Sequence, residues 1–245
     1  MRSSTLVTEG SSRPVRDGTD PARVAQAFQR WALPCGTGPL NRLEELVEER
    51  FRDVQSLGDL SPGTSPERWE SWLQGVLSSR PYRAAILSET PREDFQEVLR
   101  AARRGSYGAR DIARLAPRVR GAPPEVQIDV MADLLHAAAP DRIALLARWV
   151  FNPERGTGVL EEFVGPKPAT YEATQARLGE LRLQLAQLGF PSSTFAAVDI
   201  LLALTYAGRV QQAAQETFHS GGFETLLPGN YGLASMILGV RRRRS

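Results

Sequence analysis

The chain has 245 residues, of which 42% are hydrophobic and 24% charged, with a formal net charge of only +2. That composition supports a buried core and excludes disordered, collagen-like and disulfide-scaffold classes. Cys35 is the sole cysteine, so neither an intrachain disulfide nor a cysteine-cluster zinc site can form, and a reducing, cytoplasm-like compartment is expected.

Met1 to Thr19 is polar and without periodicity, which predicts a flexible arm lacking the apolar core of a secretion signal. Asp20-Pro21 reads as an N-cap followed by proline in the first helical position, with Val24, Phe28 and Trp31 at helical spacing behind it. After Pro34 and a glycine-containing loop, Asn41 reads as the cap of a second helix. Its apolar stripe is Leu43, Leu46, Val47, Phe51 and Val54. Ser65-Pro66 opens a third, with Trp69, Trp72, Leu73, Val76 and Leu77 on a broad apolar face.

Thr90-Pro91-Arg92-Glu93 has the form of a capping box, and Phe95, Val98, Leu99 and Ala102 then turn inward. On that frame Arg100, Arg103 and Arg104 project into solvent. A shorter helix follows from Tyr107 to Ala116 with Arg110 and Arg114, and a loop carries Arg118 and Arg120. Seven arginines thus stand against one acid, Asp111, between residues 100 and 120. The next helix places Glu125, Asp129, Asp133 and His136 on one face, opposite Val130, Met131, Leu134 and Leu135, and a solvated acidic side is expected. A helix-turn-helix is disfavoured, because the link from Pro117 to Pro123 is long and phosphates would repel those acids.

Asp141 to Phe151 is apolar nearly all round and is expected to be a central helical segment ended by Asn152-Pro153. Pro166-Lys167-Pro168 divides a helical region 20–165 from a second one, 169–245, with a single continuous domain as the alternative. There Tyr171, Thr174, Leu178, Leu181, Leu185 and Leu188 form a short heptad seam, fitting an internal helix hairpin or a dimer contact. Phe195 to Ala207 is expected to be buried, and its Asp199 needs a partner, an internal arginine or a backbone cap. This run, like Tyr231 to Val240, falls short of the roughly 20 residues a membrane-spanning helix requires. The chain closes on Arg241, Arg242, Arg243 and Arg244.

These elements predict an all-α bundle of roughly nine to eleven helices with a basic C-terminal tail. No glycine-rich phosphate loop, nucleophile elbow or metal-ligand spacing is complete, so no cofactor, metal or catalytic residue is assigned. The expected function is non-enzymatic, sequence-independent binding of DNA or RNA by the arginines at 100, 103, 104, 110, 114, 118, 120 and 241 to 244. The alternative is a self-assembling scaffold, in which that basic ledge meets acids of another subunit, either Glu125, Asp129 and Asp133 or the run Glu44, Glu45, Glu48 and Glu49.

Overall fold

The computed structural model describes residues 18–60, 66–190, 192–217 and 229–240. They form an all-α protein with ten α-helices joined by short 3₁₀ and π turns and, among the described residues, no strand. The helices are α1 Pro21–Ala27, α2 Thr37–Leu57, α3 Pro66–Gly75, α4 Arg83–Glu89, α5 Arg92–Arg103, α6 Ile112–Leu115, α7 Pro124–Ala138, α8 Tyr171–Gln187, α9 Ala196–Thr217 and α10 Asn230–Ile237. No helix among the described residues is long and apolar enough to cross a membrane.

Local chemistry sets several boundaries. The Asp20 carboxylate accepts from Ala22 N at 2.9 Å and caps α1, with Pro21 in the first turn. Thr170 does the same for α8 through Ala173 N at 3.1 Å. Asn41 is not a cap, because α2 already starts at Thr37. Nor does Thr90 cap α5: its hydroxyl, buried, donates to Arg120 O and accepts from Arg120 N at 2.8 Å. It fastens the arginine loop to the helix start.

The predicted arm ends earlier than expected. Residues 1–17 lie outside the described residues, but Thr19 pairs with Val164 as an isolated bridge and bonds Glu180 at 2.8 Å through both its amide and its hydroxyl. The heptad seam on α8 is consumed within the chain, with Thr174, Leu178, Leu181 and Leu185 buried against neighbouring elements including α1 and α9. One apolar cluster contains residues from both sides of Pro166-Lys167-Pro168, among them Val130, Leu146, Leu181 and Leu201.

Two expectations fail at the centre. α7 packs against α2, α5 and α6 and is buried almost all round; Asp129, Asp133 and His136 are 6%, 6% and 1% exposed, and only Glu125 of the expected acidic face reaches solvent. The segment 141–151 is buried as expected over residues 143–147, yet it is not an α-helix. Its polar backbone is satisfied from elsewhere: Ala144 N donates to Gln175, Arg148 N donates to Asp129, and Arg142 O accepts from Gln175. Such a buried irregular stretch is stable only where its amides and carbonyls find partners.

Candidate functional sites

Sequence reasoning singled out the arginines, and the structure places the described ones in two groups. The first surrounds the turn after α5. Arg118 pairs with Glu97 at 3.0 Å, Tyr107 Oη reaches the same carboxylate at 3.4 Å, and Arg114 lies 5.3 Å over the Tyr107 ring. Arg114 then pairs with Asp111 at 2.5 Å, with Arg110 3.9 Å from that carboxylate. Burial opposes ionisation of Asp111, but the Arg114 guanidinium and the Gly108 amide outweigh it and hold the carboxyl below its usual range.

The second group closes on the C-terminal end of α2. Arg100 donates to Gly58 O at 3.4 Å, Arg103 pairs with Asp59 at 2.9 Å, and Arg68 bonds Ser56 Oγ at 2.5 Å. Cations suit the carbonyl end of a helix. Arg142 connects the two groups, because its Nη2 donates to the carbonyls of Ala102 and Arg103 while its side chain borders the hollow formed by Gly105 to Asp111.

Arg103, Arg110, Arg114 and Arg118 therefore sit beside carboxylates, a degree of neutralisation that the arginine count alone conceals. Arg104 and Arg120 are exposed and form no side-chain ion pair among the described residues. Arg241, Arg242, Arg243 and Arg244 lie outside the described residues, as does His219. The groove lined by Arg42, Arg68, Glu49 and Asp53 also includes Val240, the residue from which that tail departs. Arg42, Arg68 and Arg142 are members of this surface that sequence reasoning missed, since they lie far from the 100–120 run.

A second constellation is buried. Asp133 accepts from Arg50 Nη2 at 2.7 Å on both oxygens and from Trp72 Nε1 at 2.7 Å. One turn earlier, Asp129 accepts from the backbone and side chain of Arg148, with Nη2 at 2.9 Å. One turn later, His136 has Ile143 O at 2.6 Å from Nδ1 and an Asp199 oxygen at 2.8 Å from Nε2. The partner of Asp199 is thus a histidine, neither an arginine nor a backbone cap. Burial disfavours charge on His136, but Asp199, the Ile143 carbonyl and Asp133 prevail, so its pKa is raised from the ordinary value.

These three pairs border a cavity of about 240 Å³ whose other walls include Phe51, Gly75, Leu77, Leu145 and Trp149. Among the described residues no group of three or more His, Cys, Asp or Glu is arranged to hold a metal ion. Burial pushes the Cys35 thiol above its ordinary pKa, opposite to what an activated nucleophile requires. No protein-family model, curated protein or solved structure matches this chain.

Proposed function

We propose that the chain binds nucleic acid through the arginine surface spanning the α2 terminus, the C-terminal end of α5 and the turn at Tyr107, with little sequence preference. The observation that carries this reading is a chain of contacts that joins arginines from separate segments: Arg118 and Arg114 through Glu97 and Tyr107, Arg114 and Arg110 through Asp111, and Arg142 to the carbonyls of Ala102 and Arg103. Arg110, Arg114 and Arg103 side chains are 77%, 58% and 42% exposed.

The interleaved carboxylates Asp59, Glu97 and Asp111 weaken the field of this surface. Exposed ion pairs contribute little to stability and dissolve readily in favour of a better partner. A phosphate oxygen is such a partner for guanidinium, which can bind it through two parallel N–H groups. Arg104 and Arg120 need no exchange at all.

Replacing Arg103, Arg104 and Arg118 together by alanine is expected to weaken DNA and RNA binding and to flatten the plot of log affinity against log salt, because fewer counterions are released. Unchanged affinity and slope would reject the reading. The scaffold alternative retains Glu44, Glu45, Glu48 and Glu49 as a possible acidic complement but loses Asp129 and Asp133, which are buried and paired. Oligomers that dissociate with salt and resist nuclease would favour it.

A further inference from the structure

The geometry points to a second site, which shares Arg50 with the groove of Arg42 and Arg68: the cavity beside α7 takes a small carboxylate carried on an apolar body of about one ring. Its walls hold donors that the protein itself does not use. Arg50 spends only Nη2 on Asp133, and its Nε and Nη1 meet no acceptor among the described residues, although the side chain is 13% exposed. Arg148 engages Asp129 through Nε and Nη2 and leaves Nη1 likewise without an acceptor among them. The acids, by contrast, are largely engaged: Asp133 and Asp129 each accept several N–H groups, and one Asp199 oxygen faces His136 Nε2. The Ser78 hydroxyl, buried in the same wall with no partner among the described residues, adds a further group able to donate. The charged groups with unspent hydrogen-bonding capacity nearest the acids are thus guanidinium donors, which select carboxylate oxygens.

The remaining surface is apolar, supplied by Phe51, Leu145, Trp149 and Ile237 among others, which suits a hydrocarbon body. A volume of about 240 Å³ lies below the roughly 300–1,000 Å³ of pockets that take drug-sized molecules, and this limits the occupant to one ring or a short branched chain. Gly75 keeps the approach to Arg50 open, because a Cβ there would stand 3.1 Å from Nε. Leu77, 42% exposed, also lines the cavity and so offers a handle whose replacement leaves the core intact.

The test uses the full chain with benzoate, benzyl alcohol and benzylamine as probes of equal size and different charge, read by titration calorimetry and thermal shift. Saturable benzoate binding is expected, with benzyl alcohol and benzylamine at least about tenfold weaker, a difference of about 1.4 kcal/mol. Leu77→Asp, which sets a negative charge on the cavity wall, should weaken benzoate by a similar factor without lowering the melting temperature of the free protein. Gly75→Ala serves as a second variant with the same expected loss. Equal binding of benzyl alcohol or tighter binding of benzylamine would overturn the assignment. So would benzoate binding indifferent to both variants, or none at millimolar concentration.

Discussion

His136 faces an oxygen at each ring nitrogen, which leaves two protonation arrangements: an imidazolium donating from both nitrogens to Ile143 O and Asp199, or a neutral ring accepting a proton shared with Asp199. The raised pKa of the ring favours the first. The folded state then holds the proton more tightly than the unfolded chain, whose histidine titrates at about 6.5. The stabilisation is therefore fully present below that pH and disappears as pH rises through the folded value. Denaturant midpoints measured from pH 5.5 to pH 9 are expected to fall on the alkaline side. The Asp199→Asn variant should lose that dependence and cost about 3–5 kcal/mol below neutrality, the usual penalty for breaking a buried pair from one side. Midpoints that rise with pH across this range would contradict the imidazolium assignment. A sequence reader sees that Asp199 is costly to bury but has no means of finding a partner 63 positions away.

At the scale of elements, the helices with one clear apolar stripe were legible. α1, α2, α5 and α8 present their buried residues at spacings of three and four, and the Asp20 cap marks the first start, whereas the Thr170 cap of α8 was not read. α7 misled because polar residues on one face normally mean solvent, whereas here Arg50, Trp72, Arg148 and Asp199 come from other elements to neutralise or bond them. The segment after it misled for the complementary reason: its apolar run suits a buried helix, but its backbone is held by Gln175 and Asp129 side chains in a non-helical path. On that path the Ile143 carbonyl faces His136 Nδ1. Close packing supplies a test of helix α9. A Cβ at Gly208 would run into the Trp31 ring, so Gly208→Ala is expected to destabilise by about 1–3 kcal/mol through overpacking. Trp31→Leu should recover part of that loss in the double variant, as read by chemical denaturation; additive losses would mean that the two do not share the space.

For the whole molecule, net charge was a poor guide and the arrangement of charge a better one. The 100–120 arginines were readable as a cluster because they fall close together in the chain, while their pairing with Asp59 and Glu97 was not, being set by folding. At low salt the surface is expected to retain nucleic acid, and adding Asp59→Asn should strengthen binding by freeing Arg103; weaker binding by this variant would mean that Asp59 is needed to orient it. Detaching residues 1–19 should lower the melting temperature further than removing 1–17 alone, since Thr19 is bonded to Glu180 and Arg177.

The irregular stretch between α7 and α8 has a kinetic corollary. Two of its amides, those of Ala144 and Arg148, are tied to side chains 31 and 19 positions away, so its middle waits until the surrounding elements have docked. In native-state deuterium exchange the Ala144 and Arg148 amides should therefore open only with global unfolding, as slowly as the most protected helical positions. The least regular part of the backbone would then behave as the keystone of the fold.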